Sequence, residues 1–152
     1  MNEYFTIMVE CILREGAMLD KFIWDAIMAG FSVLVAHGDD EDSAMRAAIS
    51  MITELREWNV DRTKAGLMTA DMGIGINTDK VVTGNIGSPN RIDYTMIGDG
   101  VNLAARLESA CKQYKAKTLI SGHTQAKLHG TYRMRQVDRV IVKGKTEPVG
   151  IV

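Results

Sequence analysis

Asn102 and Arg106 lie four residues apart in the run Asp99–Glu108. If that run is helical, the amide and the guanidinium share one face. An Arg side chain is always charged, and its rigid fork of donors matches phosphate oxygens. Buried, the pair needs a polar partner, because an unpaired buried charge is very costly. The plainer alternative is a solvated face with Arg106 in a surface salt bridge to Glu or Asp, worth little to stability. Elsewhere, Asp25 stands where a tight turn is expected, and a turn residue is the ordinary use of Asp there. Asp39, Asp40, Glu41 and Asp42 form an acidic run that could hold a metal. The better account of that run is a charged, solvated helix start, favourable against the helix dipole. Gly73-Ile74-Gly75 looks like part of a phosphate-binding loop, but no helix follows it, so the glycines are read as points of close backbone approach.

The elements that carry these residues follow from periodicity. Tyr4, Phe5, Met8, Val9, Ile12 and Leu13 recur at helical spacing from Asn2 to a stop at Gly16. Residues 19–31 (LDKFIWDAIMAGF) read as two strands turning at Trp24-Asp25. A helix starts at the acidic run and reaches about Trp58, with Ala44, Ala48, Met51, Ile52 and Leu55 inward; Asn59 to Thr69 is expected to be a loop. Asp71–Asn77 and Lys80–Ile86 are expected to pair as a hairpin about Thr78-Asp79. Ile92, Tyr94, Thr95 and Ile97 make a short strand before a Gly-Asp-Gly break, with Asp99 as N-cap of the next helix. Val101, Leu103, Ala104, Ala105 and Leu107 cover most of that helix's remaining circumference, which predicts burial nearly all round. A strand at Thr118–Ser121, a short helix at His123–His129, and strands at Tyr132–Val142 and Pro148–Val152 complete the chain. Helices alternating with largely antiparallel strands argue for an α+β sheet with helices on one face.

Composition sets the outer bounds. A chain of 152 residues that is 46% hydrophobic and 24% charged suits one domain with a core. A net charge of -1, with Lys and Arg scattered, gives no electrostatic case for nucleic acid. Cys11 and Cys111 make neither a disulfide framework nor a metal spacing and are expected to be reduced thiols in a cytoplasmic setting. No apolar run approaches the roughly 20 residues of a membrane span, and no signal-peptide pattern opens the sequence.

Residues 84–108, GNIGSPNRIDYTMIGDGVNLAARLE, closely resemble the signature of the class III nucleotidyl cyclases. The resemblance extends upstream through LDKFIWDAIMAGF and downstream through VKGKTEPV, and so covers nearly the whole chain. It implies a single cyclase-homology domain over residues 1–152, with a ferredoxin-like core and a mixed, mostly antiparallel sheet. It also implies a homodimer, or pairing with a cyclase-like partner subunit, with active sites in the groove between subunits. The implied reaction is conversion of ATP to cyclic AMP, or GTP to cyclic GMP, with release of pyrophosphate. Carried over residue by residue, Asn102 orients the ribose and Arg106 stabilises the pentavalent α-phosphate. Lys21 and Thr95 select the base: Lys donates to adenine N1 and Thr accepts from the 6-amino group, whereas guanylyl cyclases resemble this pattern with Glu in place of the Lys. ATP is therefore the expected substrate. Lys143, with Lys145, matches the triphosphate-binding lysine of the terminal hairpin, and Asp25 matches one of two aspartates that hold Mg2+ or Mn2+.

Two departures fall on the metal side. The family's opening strand, Phe-x-Asp-Ile-x-x-Phe, which carries the other metal aspartate, has no match here, so the domain is expected to start after it. Trp24 stands where the family has Gly before the second aspartate; if that turn needs positive φ, the exchange costs about 1–2 kcal/mol. The alternative reading is a non-catalytic nucleotide-binding or dimerising module completed by a partner that supplies the metal aspartates.

Overall fold

The computed structural model describes residues 2–23, 26–31, 38–79, 82–85, 94–136, 138–140 and 149–151. Helix α1 (Asn2–Arg14) ends where Gly16, at φ +78°, turns the chain out of the helical region, a conformation glycine adopts without strain. Its inner face is Tyr4, Met8, Cys11 and Ile12, all buried. Strands β1 (Met18–Ile23) and β2 (Ala26–Gly30) form the expected antiparallel pair, from Met18 opposite Gly30 to Ile23 opposite Ala26. Trp24 and Asp25 lie outside the described residues.

Helix α2 (Asp40–Lys64) packs against α1, and Tyr4, Met8 and Leu55 form a buried cluster with Met51 and Trp58 at its border. The helix runs past Trp58 to Lys64, through the first half of the segment expected to be a loop. The polar residues there serve the helix rather than ending it. Thr63 Oγ1 donates to the Asn59 carbonyl at 2.8 Å, and the Arg62 guanidinium stacks 4.5 Å from the Trp58 ring centroid. The Asn59 amide clamps the returning chain, donating to the Ala70 carbonyl at 2.7 Å and accepting from its N–H at 3.0 Å. At the other end, the acidic run does occupy the first turn, but Asp42 is not solvated. It is buried and accepts from the N–H groups of His129 and Gly130, each at 2.9 Å, and from Tyr132 Oη at 2.7 Å.

Strand β3 (Ile74–Ile76) pairs in parallel with β6 (Thr118–Ile120), and β4 (Val82–Asn85) pairs antiparallel with β5 (Tyr94–Ile97). Among the described residues, β3's partner is thus β6 and not the strand that follows it, which corrects the expected hairpin. Helix α3 (Asp99–Ala110) covers β3 and β6, burying Leu103, Leu107, Cys111 and Leu119 together. The two glycines of β3 make this possible. A Cβ on Gly75 would collide with the Ala104 carbonyl and the Glu108 N–H of α3, and one on Gly73 would lie 2.8 Å from Cys111 Cβ. A one-turn helix α4 (Gly122–Gln125) follows β6, shorter than expected. The last pair is β7 (Asp138–Val140) with β8 (Val149–Ile151), antiparallel. Residues 132–136, expected as the start of a strand, are not strand; Tyr132 is committed to Asp42 instead. The fold is α+β; among the described residues there are three antiparallel strand pairs and one parallel, with α3 laid on the parallel pair and α1 on β1.

Candidate active site

The site is built outward from α3. Gly98, not Asp99, occupies the N-cap position, and its carbonyl accepts from the N–H groups of Val101 and Asn102, both at 3.2 Å. Gly98 sits at φ +150°, which favours glycine; Asp99 is the first helical residue, where its charge still suits the dipole. The first turn is fixed from below. Asn77 Nδ2 donates to the Gly100 carbonyl at 3.0 Å, and the Ser121 hydroxyl donates to Asn77 Oδ1 at 2.6 Å. Ser121 Oγ in turn accepts from the Thr124 N–H at 3.3 Å, and the Thr124 and Thr78 hydroxyls lie 2.9 Å apart. Ser121 and Thr124 are fully buried, so these bonds are shielded from water. Gly100 is pressed so closely that a Cβ there would stand 2.6 Å from Asp79 Cβ. None of Asn77, Ser121 and Thr124 was singled out by sequence reasoning. The one available signal was a polar residue just after each strand of a parallel pair.

With that end held, α3 buries Gly100, Leu103 and Leu107 and exposes Asn102, Ala105, Arg106 and Ser109. The expectation of a helix buried nearly all round is therefore corrected: within one chain it is one-sided. Alanine is small enough to lie on an exposed face at little cost, so Ala105 did not extend the buried stripe. Asn102 and Arg106 share the open face, and neither side chain has a hydrogen-bond or ion-pair partner among the described residues.

The other expected residues are placed unevenly. Lys21 and Thr95 are located by backbone only, Lys21 opposite Met28 in β1–β2 and Thr95 opposite Gly84 in β4–β5. The two strands touch, and Met96 N–H donates to Asp20 Oδ2 at 3.2 Å, so the positions next to Lys21 and Thr95 are in direct contact. Asp25, Lys143 and Lys145 lie outside the described residues. Among the described residues, no three His, Cys, Asp or Glu side chains come together as a metal site. No helix among them is long and apolar enough to cross a membrane.

An exposed Asn/Arg face on a helix laid over a parallel strand pair, and two touching strand pairs beside it, define a class of fold shared with known proteins. The sequence model of the adenylate and guanylate cyclase catalytic domain matches residues 1–151, and the chain belongs to that family. An adenylate cyclase of Anabaena cylindrica is 38% identical over 158 aligned positions, covering 99% of this chain and 30% of that protein. The terminal-differentiation-specific adenylate cyclase of Dictyostelium discoideum is 37% identical, covering 99% of this chain and 7% of that protein. The chain thus spans less than a third of these curated relatives. Among solved structures, the guanylyl cyclase Cya2 superposes with a TM-score of 0.86 at 35% identity, over 99% of this chain and 75% of that one. The adenylyl cyclase CyaB from P. aeruginosa gives 0.87 at 33% identity, over 99% and 77% respectively.

Proposed function

We propose that this domain is the catalytic unit of an adenylyl cyclase, converting ATP to 3′,5′-cyclic AMP and pyrophosphate in a groove between two subunits. The observation that carries the reading is the open face of α3. Its first turn is anchored, its apolar side is buried, and its one amide and one guanidinium stand exposed, with no partner among the described residues. A side chain held on a rigid element and left without an internal partner is available to a ligand.

In this mechanism the ribose 3′-oxygen attacks the α-phosphorus in line with the departing pyrophosphate. Negative charge spreads over the phosphoryl oxygens, so the protein's contribution is positioning and electrostatic stabilisation. Asn102 fixes the ribose, and Arg106 offers parallel N–H donors to the α-phosphate oxygens where charge builds. Lys21 and Thr95 read the adenine edge from the same wall as Asn102 and Arg106, Lys143 with Lys145 binds the triphosphate, and Asp25 faces them from the other subunit. Asp25 offers hard carboxylate oxygens of the kind that hold Mg2+ or Mn2+, and such an ion, when bound, neutralises phosphate charge. Residues 1–152 constitute one cyclase-homology domain in this reading, acting as a pair.

The test is cyclic AMP formation from Mn·ATP by the chain alone, by a version extended upstream by a Phe-x-Asp-Ile-x-x-Phe strand, and by the chain mixed with a cyclase subunit bearing both metal aspartates. Product from the extended homodimer supports the reading. Product only on mixing replaces it with a dimerising module completed by a partner, and a folded dimer without product in any arm refutes it.

A further inference from the structure

Strand β1 does not pair evenly with β2. Leu19 lies opposite Ala29 and Lys21 opposite Met28, so the register shifts at Asp20, which is the extra residue of a β-bulge. A bulge of this kind bends the strand and re-aims a side chain. Here the released side chain is the Asp20 carboxylate, and it accepts from the Met96 N–H at 3.2 Å. Met96 is buried and lies in β5, which pairs with β4 and not with β1. The bond therefore joins two strand pairs across a contact with no backbone ladder among the described residues. On one side of it, the next residue is Lys21; on the other, the preceding residue is Thr95.

We propose that Asp20 is a positioning residue for base selection, its carboxylate tying the β1 bulge to β5 so that Lys21 and Thr95 are held at a fixed spacing. The inference rests on the reading of those two residues as the base-recognising pair. Two polar groups that must meet one purine edge together discriminate only if their separation is fixed. A backbone ladder would fix it but would leave no bulge to turn the strand. A charged acceptor on a backbone N–H fixes it with a directional bond, stronger than a neutral one. Asp20 does not touch the nucleotide in this account. Losing the tie loosens the pair and lowers discrimination more than it lowers affinity for purine triphosphates in general.

The test is the ratio of ATP to GTP dissociation constants, by calorimetry on the dimeric chain, for the unaltered protein and for Asp20→Ala, Asp20→Asn and Lys21→Glu. Asp20→Ala should shrink the ATP preference by about tenfold, the equivalent of about 1.4 kcal/mol. Asp20→Asn keeps an acceptor oxygen and should restore most of it. Lys21→Glu tests the underlying reading by itself: an unchanged ratio there refutes the base-recognising pair. A ratio that moves with Lys21→Glu but not with Asp20→Ala overturns the role of Asp20 alone. Should Asp20→Ala fail to fold, Asp20→Val, which has no acceptor and suits a strand, decides. A reduced ratio supports the tie, and an unchanged ratio assigns Asp20 to the fold only.

Discussion

Gly75→Ala puts one methyl group between β3 and α3, and its consequences can be worked from the packing. The new Cβ would stand 2.9 Å from Leu107 Cβ, where ordinary van der Waals contact begins near 3.4 Å. The Ala104 carbonyl and the Glu108 N–H are nearer still, and both are backbone, so no side-chain rotation relieves the clash. The helix has to retreat from the sheet, while its first turn stays tied through Asn77 to the Gly100 carbonyl. A pivot about that anchor carries Arg106, a turn and a half along, further than Asn102. Overpacking of this sort costs about 1–3 kcal/mol, and displacing a positioned group by about 1 Å costs on the order of 10²-fold in rate. The expected outcome is a domain that remains folded by circular dichroism, with a lowered thermal midpoint and a cyclase rate, in an active form, reduced by about two orders of magnitude. Gly73→Ala meets a side chain as well as backbone and should be milder. An unchanged midpoint together with unchanged activity in Gly75→Ala would refute the claim that α3 is seated by direct backbone contact with β3.

Other expectations concern separate parts of the molecule. Arg106→Ala should leave the thermal midpoint where it is, because the side chain is exposed and has no partner among the described residues, while lowering turnover by about 10²–10³; a large stability loss or retained turnover would contradict the assigned role. The hydroxyl of Tyr132, and then the N–H groups of His129 and Gly130, hold the Asp42 carboxyl at about 2, below its ordinary value of 3.8. A depressed carboxyl pKa contributes stability that is fully present above the unfolded value and is lost as pH falls through the folded one. Denaturation midpoints should therefore drop between about pH 4 and pH 2, and Asp42→Asn should flatten that part of the profile. Tyr132→Phe should raise the Asp42 carboxyl toward its ordinary range, read by NMR titration. The same pair pushes the Tyr132 phenol up to about 12, through burial first and the neighbouring carboxylate second.

What the sequence disclosed was whatever depended on local spacing. The one-face placement of Asn102 and Arg106, the β1–β2 pair and the first helix follow from periods of 3.6 and 2, and the structure has them. What it concealed depended on distant partners. Asn59 and Arg62 look like loop residues until the Ala70 and Met68 carbonyls are available to receive them. Asp42 looks solvated until a segment 90 positions away supplies Tyr132. β3 looked like half of a hairpin because its neighbour in sequence is a strand, whereas its neighbour in space is β6. The gap in the site has the same origin. Asp20 reads as an ordinary polar residue, and only the bulge and the Met96 N–H give it a task.

The claim that two subunits share each nucleotide groove can be tested most directly by complementation in an active form of the domain. One chain carries Arg106→Ala and the other Asp25→Ala, and each is inactive as a homodimer. If the two residues serve one groove from opposite subunits, random mixing should restore about a quarter of the unaltered rate, since half of the dimers are mixed and one of their two symmetric grooves is intact. A mixture as inactive as its parents, with mixed dimers demonstrated by mass spectrometry, would contradict the account.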